Sequence, residues 1–267
     1  MKIQKSGSYY GIKKIELKKR GFTLSEYDYH LPETDWHYHE NPYFMFVLDG
    51  QLKDLNRKRT KLCPKGSFLF LNWQETHKNT KESSHARGFH IELDRNWFSE
   101  KQMDKQLWEG SKLIISPYLH HTFAKIYHEF KVDDSFSSLS LDALLLELCN
   151  GLWDDLEQVN EMEPEWVKAL EELIYDDEDV LSLDNLSHKI GIHPVHLSRS
   201  FSKYRNITLG EYIRMHRIKK SIPLLVNHKQ SLTEIAYSCG FSDQSHYTRT
   251  FKKYFNRTPL AFKQALK

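Results

Sequence analysis

Residues 243–253 carry a run of amide, hydroxyl, imidazole, guanidinium and amine side chains whose chemistry suits hydrogen bonding to DNA. Gln244 can bond bidentately to adenine and Arg249 to guanine, and each good pair contributes ~1–3 kcal/mol of discrimination between bases. The two lysines suit phosphates, which position a protein without reading sequence. The candidates are Asp243, Gln244, Ser245, His246, Thr248, Arg249, Lys252 and Lys253. For any one of them, the alternative is an ordinary solvated helix face.

The apolar residues around this stretch predict two helices joined by a short turn. Leu232 and Ile235 recur at helical spacing, and Gly240 supplies the left-handed residue that ends the first helix. Ser242 or Asp243 then caps a second helix. Over about residues 232–255 this is the helix-turn-helix pattern, whose second helix presents its amino-terminal half to base edges.

A first copy of the same pattern spans about residues 183–204. Its first helix ends at Gly191, and Pro194 lies in the first turn of its second helix, where the N–H groups have no helical partner. The matching candidates for base contacts are Pro194, Val195, Ser198 and Arg199, and Lys203 is the candidate for a phosphate. The two copies agree in pattern more closely than in residue identity.

The charge distribution agrees with a DNA-binding region at this end of the chain. Residues 180–267 hold 15 Lys and Arg against four Asp and Glu, a net charge of +11, whereas residues 1–179 have a net charge of −9. A basic third joined to an acidic remainder is typical of a nucleic-acid-binding domain attached to one that does not bind nucleic acid. A solvated basic surface is the other interpretation.

Residues 165–267 resemble the AraC/XylS-type transcriptional regulators. The residues that carry the resemblance are Gly191, Leu197, Arg199, Phe201, the segment 209–214, Ile235, Ala236, the segment 240–242, Tyr247, the segment 249–255, Thr258 and Pro259. The resemblance implies that both second helices enter the major groove, about one DNA turn apart, with a linking helix between the units. It also implies promoter DNA and RNA polymerase as partners, and activation as the sign of regulation.

One residue departs from this expectation. Pro223 falls inside the expected linking helix, from Leu209 to about Asn227, where it removes an N–H and clashes with the carbonyl of Lys219. It therefore predicts a kink or an early end to that helix.

The amino-terminal half reads as short strands separated by Gly and Pro turns. Segments 22–29, 43–48, 67–71 and 88–93 alternate or form short buried runs, which suggests a sandwich or barrel. We expect residues 1–22 to form an arm before the first strand.

The spacing of His37, His39, Gly50, Gly66 and His77 resembles a cupin barrel, the sensor fold common in these regulators. The expected pocket binds a small polar molecule, such as a sugar. Its candidate residues are His37, His39, Tyr43, Met45, His77 and His90.

A metal is the alternative occupant that this resemblance raises. His37, His39 and His77 match the histidine ligands of metal-binding cupins, but Tyr43 replaces the usual Glu. Three His ligands with water could hold a divalent ion. We nevertheless expect no metal and no cofactor. Histidines that are structural or exposed are a further alternative.

Between residues 97 and 159 the pattern becomes helical, with a leucine stripe from Leu141 to Leu156 that suits packing on the barrel, and dimerisation as a second use. The predicted architecture is α+β with two domains. Residues 1–160 form a cupin-like barrel with trailing helices that binds the effector and makes a homodimer, and residues 161–267 form an all-α double helix-turn-helix domain.

Several classes of protein are disfavoured. The chain lacks an apolar run of about 18 residues and an apolar signal core, so we expect no membrane segment. Cys63, Cys149 and Cys239 are far apart and odd in number, which fits a reducing cytoplasm. No nucleotide-binding or hydrolase motif occurs, so an enzyme is not expected.

The sequence thus predicts an effector-responsive transcriptional regulator. Two alternatives remain open. One is a metal-dependent cupin enzyme fused to a DNA-binding domain, and the other is a regulator controlled by a partner protein without a small ligand.

Overall fold

The computed structural model describes residues 2–57, 59–73, 75–103, 110–157, 163–176, 181–205 and 207–266. The chain divides into two compact units, residues 1–114 and 115–267. The domain boundary predicted at residues 160 and 161 lies outside the described residues.

The first unit is built from two sheets and one short helix. Its elements are β1 Lys2–Gln4, β2 Ile12–Lys19, β3 Phe22–Tyr29, β4 His37–His39, β5 Tyr43–Asp49, β6 Gln51–Asn56, β7 Thr60–Pro64, β8 Phe68–Leu71, β9 His77–Lys81, β10 Ala86–Leu93, α1 Arg95–Glu100 and β11 Lys112–Leu113. One sheet has the order β1-β4-β9-β6-β7, and the other has the order β11-β8-β5-β10-β3-β2. The expected β architecture is therefore confirmed.

The apolar run in β5 is buried on both of its faces. Tyr43, Met45 and Val47 pack in a core cluster that also includes Leu52 and Cys63 of the other sheet. The alternate residues of β5, Phe44 and Phe46, pack against aromatic rings of β8. Burial on both faces explains why this strand is apolar throughout instead of alternating.

The expectation that residues 1–22 precede the first strand is wrong. Strand β1 pairs in parallel with β4, and β2 pairs antiparallel with β3 at the end of the six-stranded sheet. Strand β2 is rich in lysine and mostly exposed, with a register shift between Lys13 and Ile15. Lysines and bulges are common on edge strands, where they prevent pairing with other chains. Such a strand has no run of buried apolar residues, so the sequence pattern does not predict it.

The second unit is helical. Its elements are α2 Pro117–Val132, α3 Ser137–Glu157, α4 Glu165–Asp176, α5 Leu183–Ile190, α6 Pro194–Arg205, α7 Leu209–Asn227, α8 Leu232–Ser238, α9 Gln244–Phe255 and α10 Pro259–Ala265. The leucine stripe of α3 packs against α2, with Leu141, Leu145 and Leu148 fully buried. Within the described part of the chain, no helix is long and apolar enough to cross a membrane.

Two helix pairs, α5–α6 and α8–α9, form the predicted helix-turn-helix units. Gly191 and Gly240 follow the first helix of each pair with φ of 74° and 78°, in the left-handed region that favours glycine. Asp243, not Ser242, is the N-cap of α9, and its carboxylate accepts a bond from the N–H of His246. Ser231 and Glu234 form a capping box at the start of α8.

The early end predicted for the linking helix at Pro223 does not occur. Helix α7 continues past Pro223 to Asn227, and Leu225 and Val226 beyond the proline are buried. A proline inside a helix costs roughly 3 kcal/mol. Burial of Leu225 and Val226 contributes about 1.5–3 kcal/mol each and can offset that cost.

Candidate nucleic-acid interface and barrel pocket

Helix α9 presents one exposed face and one buried face. Ser245, Arg249 and Lys252 are exposed at positions i, i+4 and i+7, which lie on the same side of a helix. On the opposite side Phe251 is fully buried, and its ring lies 4.5 Å from that of Phe255. The aromatic core therefore fixes which side chains of α9 face outward.

Helix α6 repeats this arrangement in the first helix-turn-helix unit. Val195, Arg199 and Lys203 are exposed along one side, while Leu197 and Phe201 are fully buried on the other. In both helices, an arginine thus lies four residues after the first member of this exposed row, and a lysine lies farther along.

Several of the predicted DNA contacts also have partners within the protein. Asp243 caps α9, as described above, and the amide oxygen of Gln244 accepts a hydrogen bond of 2.6 Å from the Thr233 hydroxyl. The amine of Lys253 donates to Glu211 at 2.7 Å. Contact with DNA stays a prediction for every candidate in both helices.

The amino-terminal candidates lie together inside the barrel. One ring nitrogen from each of His37, His39 and His77 lies within 4.8 Å of the others. These residues belong to β4 and β9, and His37 pairs directly with His77 across them. From the opposite sheet, the Tyr43 hydroxyl lies 3.2 Å from Nε2 of His77.

A small pocket adjoins this cluster. Its lining includes His37, His39, Tyr43, Met45 and His90 of the predicted set. The free volume of about 40 Å³ holds only a few water molecules. Of the predicted pocket residues, His77 belongs to the cluster rather than to this lining.

Tyrosines that the sequence prediction missed fill part of the pocket. Tyr9 stacks on His90 with ring centroids 3.7 Å apart, and its hydroxyl donates to Glu92 at 2.9 Å. Tyr10 and Tyr29 also line the space. The adjacent tyrosines 9 and 10, in a segment otherwise polar, were the only signal available in the sequence.

Burial lowers the pKa of the three clustered histidines and of His90. The pKa of His90 falls to about 3 through burial alone, and that of His37 to about 4 through burial and the neighbouring His77. Burial likewise lowers the pKa of His39 and His77. The rings are therefore neutral at pH 7, and each offers one acceptor nitrogen.

The donor set is compatible with a metal ion. Nδ1 of His37 donates to the carbonyl of Asp35 at 2.8 Å, and Nδ1 of His77 donates to the carbonyl of Glu75 at 3.1 Å. These bonds leave the lone pair of each ring on Nε2, as the backbone hydrogen bonds of metal-binding histidines do. Burial raises the pKa of Tyr43 well above its usual range, so its hydroxyl is protonated beside His77.

Comparison with known proteins identifies the helical half. The family described as "Helix-turn-helix domain" matches residues 186–265. The probable transcription factor PqrA of Proteus vulgaris is 38% identical over 84 residues, which cover 32% of this chain and 69% of that protein. The Msm operon regulatory protein of Streptococcus mutans is 31% identical over 112 residues, which cover 42% of this chain and 40% of that protein.

The transcriptional regulator Rob of Salmonella typhimurium is 36% identical over 85 residues, 32% of this chain but only 29% of that protein. Among solved structures, an apo form of ToxT from Vibrio cholerae aligns over 93% of this chain and 99% of that chain at 15% identity and a TM-score of 0.40. A TM-score this low adds nothing to the assignment. The family match and PqrA confirm the prediction of a DNA-binding regulator. The chain belongs to the AraC-type helix-turn-helix transcriptional regulators.

Proposed function

We propose that both helix-turn-helix units read one promoter site, with α6 and α9 in successive major grooves of double-stranded DNA. The observation that carries this proposal is the shared pattern of α6 and α9, in which an arginine and a lysine lie on the exposed side and large apolar residues on the buried side. Arg199 and Arg249 supply bidentate contacts with bases, and Lys203 and Lys252 supply contacts with phosphates.

Selection from a random-sequence pool of duplex DNA by the full chain, over a series of salt concentrations, tests this proposal. We expect enrichment of an asymmetric site whose two short elements lie about one helical turn apart. Binding that ignores sequence and disappears as salt rises would instead mean that the basic surface acts only by electrostatic attraction.

The barrel pocket supports a small polar effector, such as a sugar. Nδ1 of His90 is buried and has no hydrogen-bond partner among the described residues, so it can accept or donate a bond to a ligand hydroxyl. The aromatic rings around it suit the apolar face of such a ligand. Because the free volume is only about 40 Å³, binding requires lining side chains to move.

Thermal unfolding of the full chain with a panel of small metabolites tests for the effector. A ligand at 100 times its Kd should stabilise the protein by ~2.7 kcal/mol. The variant His90→Phe, which fills the same space without a polar atom, should lose that response. Failure of every metabolite would favour control by a partner protein.

Activation through RNA polymerase and assembly into a homodimer complete the proposal. Phe136 and Leu139 near the start of α3 are 75% and 76% exposed, and such side chains suit contact with a second copy. Sedimentation of the wild type and of Leu139→Glu tests the dimer, which the charged substitution should weaken. Transcription from the selected site, with and without the protein, tests the sign of regulation.

A further inference from the structure

The first turns of α7 belong to the core of the first helix-turn-helix unit. Leu209, Tyr212 and Ile213 lie in the same buried cluster as Leu197 and Phe201 of α6. The rings of Tyr212 and Phe201 are 5.2 Å apart and nearly perpendicular. The start of α7 therefore moves with α6, the first of the two recognition helices, which are α6 and α9.

Glu211 lies in these same turns but bonds to α9 of the second helix-turn-helix unit. Its Oε1 accepts hydrogen bonds from the amine of Lys253 at 2.7 Å and the hydroxyl of Tyr254 at 2.6 Å, both in α9. Its Oε2 accepts bonds from Arg214 of α7 at 2.6 and 3.2 Å. The side chain is 19% exposed, so most of its hydrogen-bonding capacity is used within the protein.

The carboxylate stays charged over the whole working range. Burial opposes ionisation, but the bonds from Lys253, Tyr254 and Arg214 outweigh it and lower the pKa of Glu211 to about 2. The backbone N–H of Glu211 also bonds to the Thr208 hydroxyl that caps α7. A charged anchor on a capped helix end holds its partners in one orientation.

We propose that Glu211 is a positioning residue that fixes the second recognition helix relative to the first and thereby sets the spacing of DNA elements that both can read. This inference rests on the proposed reading of one site by both units. Glu211 also binds the amine of Lys253 and the guanidinium of Arg214, which keeps both cations away from phosphates.

The test uses the full chain and the duplex that the wild type selects, together with the same duplex lengthened by one base pair between the two elements. The variant Glu211→Gln keeps the shape of the side chain and removes its charge. We expect the preference for the original spacing to fall by roughly threefold or more, because groups in one hydrogen-bond network commonly couple by that amount. If the two cations are released to contact phosphates, the slope of log DNA affinity against log salt concentration should become steeper by about 1–2.

Two control variants separate orientation from charge. Glu172→Gln removes an equal charge from an exposed position in α4 and should leave the spacing preference unchanged. Tyr254→Phe removes one bond to Glu211 without changing charge, so it should relax the spacing preference and leave the salt dependence unchanged.

The selection results separate the positioning role of Glu211 from the proposed reading of DNA by both units. A wild type that selects no two-element site overturns the proposed reading mode, and the positioning role with it. A wild type that selects such a site, while Glu211→Gln and Tyr254→Phe keep its spacing preference, overturns the positioning role alone.

Discussion

Replacing Arg205 with alanine should destabilise the helical unit by about 3 kcal/mol, because it removes one side of a largely buried ionic cluster. Arg205 ends α6 and donates to both oxygens of Glu171 at 2.6 and 2.7 Å. Its third nitrogen donates to Glu163 at 2.5 Å. The cluster thus attaches α6 to α4 and to Glu163, which lies two positions before the start of α4.

The magnitude follows from the burial of this cluster. The side chains of Arg205, Glu163 and Glu171 are 17%, 16% and 12% exposed. Loss of one partner from a buried pair costs about 3–5 kcal/mol, whereas exposed pairs contribute only about 0.2–1 kcal/mol. Because these side chains keep some exposure, we expect a cost near the lower end of the range for buried pairs.

Urea denaturation followed by the helical circular dichroism signal measures the change, since the long helices belong to the second unit. Arg199→Ala is the matched control, because Arg199 is exposed on the same helix and should change stability by less than about 0.5 kcal/mol. A triple variant, R205L/E163Q/E171Q, should recover most of the loss because no unpaired charge remains. Equal stability of Arg205→Ala and Arg199→Ala would refute the reasoning.

Three further predictions concern DNA contact, pH and metal. Lys252→Ala should weaken binding to all sequences alike and reduce the logarithmic salt dependence by about 0.9, which filter binding at several salt concentrations would show; a changed site preference would contradict a phosphate role. Burial and the nearby Arg257 guanidinium, which donates to its Nε2 at 2.5 Å, lower the pKa of His128 from 6.5 to about 4. Because the unfolded chain takes up this proton first, stability should fall as pH drops from 6.5 towards 4. The loss in the free energy of unfolding is at most about 3 kcal/mol, and solvent screening reduces it to about 1 kcal/mol. His128→Gln, which can still accept from Arg257, should lose this part of the pH dependence in denaturation curves, and an unchanged curve would exclude it. Finally, chelation should leave the melting temperature unchanged if the histidine cluster works without metal; a large drop that added zinc reverses and that His39→Ala abolishes would favour the metal-cupin alternative.

The sequence was most informative where local rules act. The helix ends at Gly191 and Gly240, the cap at Asp243 and the leucine stripe of α3 all follow from short-range spacing. The histidine pair at 37 and 39 was also readable, because alternate residues of a strand share one face.

What could not be predicted depends on contacts between distant segments. Glu211 resembles any exposed acid near a helix start until the fold brings α9 beside it. Tyr9 lies in the pocket through contacts with distant residues, such as Glu92, 83 residues away, which accepts a hydrogen bond from its hydroxyl. The continuation of α7 past Pro223 likewise depends on tertiary burial that overrides a local penalty.

The most direct test of reading by two units is to repeat the random-duplex selection with Arg199→Ala and Arg249→Ala in the full chain. We expect each variant to lose base preference in a different element of the wild-type site, at ~1–3 kcal/mol per lost bidentate contact, while preference in the other element remains. If both substitutions weakened the same element, or if neither changed the selected sequence, two-unit reading by α6 and α9 would be contradicted.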